Sequence, residues 1–391
     1  MNKFFHPLFA FYRCLAVPVL GAILSLTLFA CEERTPTAQQ TPQNTPAPVQ
    51  DVERDLTFND VTLEQSDEQG KPVWNVKAKQ ATYSKDRKVA EVASPNGELF
   101  QDGKPVYYIT AQTGEIEQDG QRLFLRGQIV AKAPRYDLVL RGNELEWQPK
   151  ADLLIVRNKL TGSNPQVQVV AQEARVKSRA GLIELFGQVQ ATSKDPDLQM
   201  RTEHAIWRIR EQKLIADRPL EIDRYQDKKI TDRGKANQGE VNLKTKIATL
   251  QQNAQLFLLQ PPIDVASDLL TWNMNTEIVT SDRPVKVVQR QQQVTVTANQ
   301  GKMDLKKEVA YLNGDVNGVG QRGQALQSKE LTWYISNQNM EANGNVLYRQ
   351  ANPPASFKGE KAVGNLEKQN IVVTGDRVVT EIVPQDNLKT P

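Results

Sequence analysis

Ala111-Gln112-Thr113-Gly114-Glu115-Ile116 runs into Gln118-Asp119-Gly120 and then into Leu123-Phe124-Leu125-Arg126-Gly127-Gln128-Ile129. The last segment alternates: Leu123, Leu125 and Ile129 fall on one side, Arg126 and Gln128 on the other, which is the two-residue period of a half-buried strand. Asp119-Gly120 supplies a two-residue hairpin turn, since a primed turn needs the positive φ that Gly adopts without strain. The stretch therefore reads as one β-hairpin. In the first strand, Ala111 and Gly114 are three residues apart and break that rhythm, so a bulge or bend must restore parity.

The same pattern recurs along the chain. A small or short polar residue, a small or aliphatic one three later and a large apolar one two beyond that appear as Ala78-Ala81-Tyr83, Gly142-Leu145-Trp147, Ala171-Ala174-Val176, Thr202-Ala205-Trp207, Ala236-Gly239-Val241, Ser267-Leu270-Trp272, Ala298-Gly301-Met303, Ser328-Leu331-Trp333 and Gly359-Ala362-Gly364. Successive first residues are 29 to 34 apart, so one supersecondary unit is stacked repeatedly. Trp in every second copy makes the full repeat two hairpins. Polar turn stretches come at near-constant offset, as at Pro149-Lys150-Ala151, Ser178 to Gly181 and Lys306-Lys307-Glu308, and second strands close on Gly127-Gln128-Ile129, Gly187-Gln188-Val189, Gly314-Asp315-Val316 and Gly344-Asn345-Val346. Bends in register fold every strand across one line. The expected fold is all-β, an elongated antiparallel β-jellyroll or meander of stacked hairpins; a parallel β-helix is the rival, and mid-unit turns argue against it.

Residues 1–31 are a different material. Lys3 and Arg13 precede an apolar run from Leu15 to Ala30, an export signal. It ends Leu28-Phe29-Ala30-Cys31, which resembles a lipoprotein lipobox with Cys31 as the lipidated residue; an uncleaved signal anchor is the alternative. Residues 32–50, with Pro36, Pro42, Pro46 and Pro48, form a linker that reaches roughly 60 Å if extended at ~3.1 Å per residue. With 49 basic and 46 acidic residues the charge is too balanced for nucleic-acid binding.

Catalytic and cofactor constellations are weak. Gly318-Val319-Gly320-Gln321-Arg322-Gly323 spells the dinucleotide fingerprint, but Gln324 to Trp333 reads as the next strand pair where a helix is required. His204 is the one histidine beyond the signal, no zinc set or P-loop is present, and Glu144 and Glu146 read as solvated charges. The expectation is no cofactor, no metal and no enzyme.

A tethered, exported meander opening Leu56-Thr57-Phe58-Asn59-Asp60-Val61-Thr62-Leu63, continuing Gly70-Lys71-Pro72-Val73-Trp74-Asn75-Val76-Lys77-Ala78 and then the 109–129 run, resembles the periplasmic lipopolysaccharide-transport proteins LptC and LptA, the OstA-like family. The likeness is best over residues 51–230, with residues 231–391 as continuing LptA-like repeats. The resemblance implies an inner-membrane-anchored periplasmic protein whose jellyroll shelters the acyl chains of lipopolysaccharide or a related glycolipid. It further implies partnership with the ABC-transporter permeases of the Lpt system, and with an LptA-like jellyroll or an outer-membrane LptD-type assembly by edge-strand pairing. The candidate lipid-groove residues are Leu123, Leu125, Ile129, Leu140, Trp147, Val169, Val176, Ile183, Leu185, Val189, Trp207, Trp272 and Trp333. Inward-facing residues serve a groove and a filled core equally well. The alternative function is a structural or adhesive β-repeat lipoprotein of the cell envelope without lipid cargo.

Overall fold

A computed structural model describes residues 56–85, 87–117, 122–368 and 370–382; the signal, Cys31, the linker and the Asp119-Gly120 turn lie outside the described residues. Glu53–Pro391 is one compact unit. Among the described residues it contains 28 strands in a single antiparallel sheet and one 3-10 turn at Pro134–Tyr136; the long strands pair in sequence order along a meander, while short strands such as Val89–Ala93 and Asn96–Gln101 both pair with Pro72–Tyr83 and not with each other. The expected fold, an elongated β-jellyroll, is what forms. The boundary placed at 230/231 falls inside the strand Lys229–Ala236, and the meander runs through it.

Each long strand is folded across its middle, and two backbone devices do it. In Leu123–Ala133 the bend is the pair Gly127 and Gln128, both left-handed, with φ of 76° and 47°. Gly187-Gln188, Gly314-Asp315 and Gly344-Asn345 repeat it, and Asn158-Lys159 and Gln252-Asn253 achieve it without glycine. Elsewhere a proline interrupts the ladder, since it has no N–H to donate: Ser94-Pro95, Arg218-Pro219 and Arg283-Pro284 each separate two short strands. The register shifts at these bends, as between Arg126 and Ile129 or Phe186 and Val189.

The small residue of the repeated pattern sits on the same fold line. The break it causes is the expected one: Gly142, Leu145 and Trp147 all face inward and are buried, although their spacing forbids that in a straight strand. A Cβ on Gly142 would lie 2.7 Å from Val156 Cγ1 and 2.8 Å from the Arg157 carbonyl oxygen. Gly142→Ala is therefore expected to cost about 1–3 kcal/mol in denaturant unfolding, because backbone must move to admit the methyl.

The folded strands form two wings with an apolar layer between them. Among the outward residues, Phe124 and Phe186 break the alternation and lie beneath Arg126 and Arg175 at 4.5 and 4.7 Å from guanidinium carbon to ring centre, while Val170 and Val319 stand exposed. On one outer face Asp223, 1% exposed, accepts hydrogen bonds from Arg233 (2.6 and 3.1 Å) and Arg201 (2.5 Å). Burial opposes its charge, but the two guanidiniums prevail and hold its carboxyl below the usual range. The folded pKa lies under the unfolded one, so the stabilisation is complete above pH about 4 and disappears as pH falls through the folded value. Asp223→Asn is expected to lower the urea midpoint at pH 7 by about 1–3 kcal/mol equivalent, with the gap to the parent narrowing at acid pH.

Candidate lipid path and its mouth

All thirteen groove candidates point between the wings and belong to one contiguous apolar cluster extending from Trp74 to Ala362. Each is at most 3% exposed. From Leu123 to Trp207 they are packed against one another as a filled layer, with Trp147 edge-on to Tyr107 at 6.0 Å. The indole N–H groups of Trp74, Trp147, Trp272 and Trp333 are buried without an acceptor, the unusual polar feature of an otherwise hydrocarbon interior.

Opposite the fold line, the hairpin tips of the two wings face each other across a mouth. The first wing carries the tips at 102–103, 134–137, 195–196 and 227–228; the second carries those at 149–152, 178–181, 209–212, 243–246 and 274–277. Polar bonds close this mouth at intervals. Arg179 donates to Asp102 at 2.8 and 3.1 Å, Tyr107 Oη and Ser178 Oγ share a 2.7 Å bond, and Arg210 donates to Tyr136 Oη at 3.1 Å. Further along, Lys246 pairs with Asp195 at 2.8 Å, and Arg224 and Gln226 donate to Glu277 at 3.0 and 3.1 Å. Asp152 fixes one side by accepting from the backbone N–H groups of Ser178 and Arg179 at 3.2 and 2.9 Å. Tyr107 is 2% exposed, and burial pushes its phenol far above the ordinary value, so it keeps its proton at any physiological pH. The Arg179 hydrogen bond holds the Asp102 carboxyl below its usual value.

Sequence reasoning missed this latch. Asp102, Ser178, Arg179 and Arg210 sit in turns, where no periodicity marks them, Tyr107 reads as an ordinary strand residue of Lys104–Thr110, and Tyr107 and Ser178 are 71 positions apart. Trp74, 3% exposed, also stands outside the Trp alternation and extends the same interior toward the first strand.

From the Arg224–Glu277 bond onward the wings part. A cleft of about 650 Å³ lies between Arg224, Asp232 and Ile263 on one wing and Glu277, Met303 and Ile335 on the other. A second cavity of about 480 Å³ opens between Val296, Leu326 and Tyr348 on one side and Leu331, Met340 and Ala342 on the other.

The remaining motifs take the following places in the fold. Gly318 and Val319 end a strand, Gly320 to Gly323 form a hairpin tip, and the next element is the strand Ala325–Tyr334. His204 pairs with Asp217 at 2.7 Å and stacks on Phe186. Glu146 pairs with Arg157 at 3.1 Å. Among the described residues no group of His, Cys, Asp or Glu is placed to hold a metal, and no helix is long and apolar enough to cross a membrane.

Among the described residues the meander has two edges: Leu56–Ser66 pairs there with Pro72–Tyr83 alone, and Asn370–Thr374 and Val379–Ile382 with Ala355–Asn365 alone, so each of these strands has one side without a described strand partner. Both edges carry exposed apolar residues: Leu56 and Phe58 at the first, Val372 and Val379 at the last.

Residues 19–154 match the family described as lipopolysaccharide-assembly, LptC-related. The matched residues are about a third of the chain, so the likeness to LptC-related proteins is shown for this N-terminal segment alone. It ends inside the strand Leu153–Ser163, so the later repeats lie beyond it. No curated protein matches the chain.

Proposed function

We propose that this LptC-related protein is a periplasmic bridge component of lipopolysaccharide export, passively sheltering acyl chains between an inner-membrane ABC transporter and the outer membrane. The observation that carries the reading is one contiguous apolar interior from Trp74 to Ala362 in a sheet whose first and last described strands are each paired on one side only among the described residues. Exposing hydrocarbon to water costs about 0.8 kcal/mol per CH₂, so one chain of ~14 carbons faces roughly 11 kcal/mol outside such an interior. No chemistry is needed to lower that barrier, only apolar wall. The two edge strands suit strand addition by an LptA-like jellyroll or an LptD-type assembly, and by the transporter's periplasmic domains. Anchoring falls to the N-terminal segment, through lipid on Cys31 or through an uncleaved signal.

The interior is packed where the wings are latched, so transport requires the latch to release and lipid to replace wall-to-wall contact. Photo-crosslinking residues at Leu125 and Trp207 in growing cells test this. Lipopolysaccharide adducts at both, and loss of surface lipopolysaccharide on depletion, are the expected results. Adducts to protein alone, with surface lipopolysaccharide unchanged, would establish the structural β-repeat alternative.

A further inference from the structure

The outer face of the second wing changes character along the meander. Toward the N-terminal end its charges satisfy one another: Arg157 donates to Glu146 and Glu173 at 3.1 and 2.8 Å, and Arg175 donates to Glu173 at 2.6 Å. Farther along, the register sets Thr271, Thr280, Lys302, Tyr311 and Thr332 in one row across five neighbouring strands. They point outward, since Trp272, Val279, Met303, Ala310 and Trp333 beside them in sequence are buried. Gln300, Asn313 and Glu330 make a parallel row nearer the fold line.

Together the two rows line an open groove of about 590 Å³. Strands ~4.8 Å apart give it a length of about 19 Å from the first to the fifth. Among the described residues lining it, Tyr311 is the one aromatic, and its ring is 41% exposed. Lys302 is the one cation there, with Nζ 6.0 Å from the ring centre, against the carboxylates of Asp282 and Glu330. Among the described residues, no side chain or backbone group bonds to the amides of Gln300 and Asn313, so both face the groove with their donors and acceptors open.

These groups suit one chemistry. A planar amide donates and accepts side by side, which matches two adjacent hydroxyls, and a carboxylate accepts from a pair of them. A tyrosine ring offers an apolar face to the C–H groups of a pyranose and keeps a polar tip for its oxygens. A protein partner would need a desolvated apolar centre, and threonine and amide side chains surround Tyr311 instead. Two carboxylates to one ammonium disfavour phosphate or sulfate on the ligand.

We infer that this groove binds a neutral or amino-substituted oligosaccharide, one ring stacked on Tyr311 and its hydroxyls held by Gln300, Asn313 and Glu330. The site lies in the later repeats, beyond the LptC-related segment and on the opposite side of the sheet from the apolar interior. It does not rest on the lipid-sheltering role.

The test screens the full chain, purified in a detergent without a sugar headgroup, against immobilised neutral, amino, phosphorylated and sulfated oligosaccharides about as long as the groove. Binding to at least one neutral or amino oligosaccharide is expected. In titration with that sugar, Tyr311→Ala should weaken affinity about tenfold or more, while Tyr311→Phe, which keeps the ring, retains most of it. Asn313→Ala should weaken it about fivefold, the equivalent of one hydrogen bond. No binding by the parent, binding of phosphorylated or sulfated sugars alone, or unchanged affinity in Tyr311→Ala overturns the site. Should Tyr311→Ala lower the urea midpoint, Gln300→Ala combined with Asn313→Ala alters the groove through exposed side chains alone, and unchanged affinity there overturns it equally.

Discussion

Leu185→Asp is expected to unfold the protein or destabilise it by more than about 5 kcal/mol, well beyond a selective block of lipid movement. Leu185 has no exposed surface and pairs across the sheet with Ala174 and Ala205, which are equally buried. Removing the isobutyl group alone costs about 2–5 kcal/mol. A carboxylate left in hydrocarbon without a partner adds several more, or takes up a proton and still lacks hydrogen bonds. The total approaches the stability of an ordinary domain. Urea unfolding of the purified variant checks this, and a midpoint close to the parent's would mean that water already reaches Leu185 and that the interior there is a trough. Conservative size changes are the better probe of transport, since Leu185→Met keeps volume and apolarity.

The filled layer around Leu185 marks the limit of what the chain discloses before folding. Alternation in Leu123 to Ile129, the three-residue step from Ala111 to Gly114 and the turn chemistry between them are enough to specify bent antiparallel hairpins, because backbone parity and φ preferences are local properties. The inward placement of all thirteen groove candidates comes from the same parity. Whether the interior is filled does not. That depends on how far apart the wings stand, and the distance is set at the mouth by Asp102, Tyr107, Ser178 and Arg210, which are dispersed in sequence and meet only on folding. The cavities at the C-terminal end are hidden for the same reason: Val294, Val296 and Ala342 read as core residues like any others, and only the splayed wings distinguish them. Two kinds of bend carry different chemistry, Gly-x-Val and x-Pro, and the second shows itself as the same device only because Arg218-Pro219 and Arg283-Pro284 fall on the line marked by Gly187 and Gly314.

Joining the two wings across the latch is expected to abolish lipid adducts at Trp207, and weakening the latch is expected to raise them. Each cross-mouth hydrogen bond contributes about 1 kcal/mol, with the charge-assisted Arg179–Asp102 pair discounted because both groups are well exposed to water. A handful of such bonds resists opening by a few kcal/mol. Opening also uncovers apolar wall, but an entering acyl chain covers that wall again and removes its own ~11 kcal/mol of exposed hydrocarbon, so lipid supplies the driving force that water alone does not. A doubly substituted Asp102→Cys, Arg179→Cys chain bridged by a bismaleimide tests the closed state, with each single variant as control. Tyr107→Phe with Arg210→Ala tests the weakened one: the first removes the bond to Ser178 and the second the bond to Tyr136, while the apolar layer beneath is left intact. If bridged and weakened proteins give the same yield of lipid adduct at Trp207, the wings do not part during transport. The path would then have to run end to end through a layer that Leu125, Trp147 and Leu185 already fill, and with those side chains at zero exposure there is no room for it.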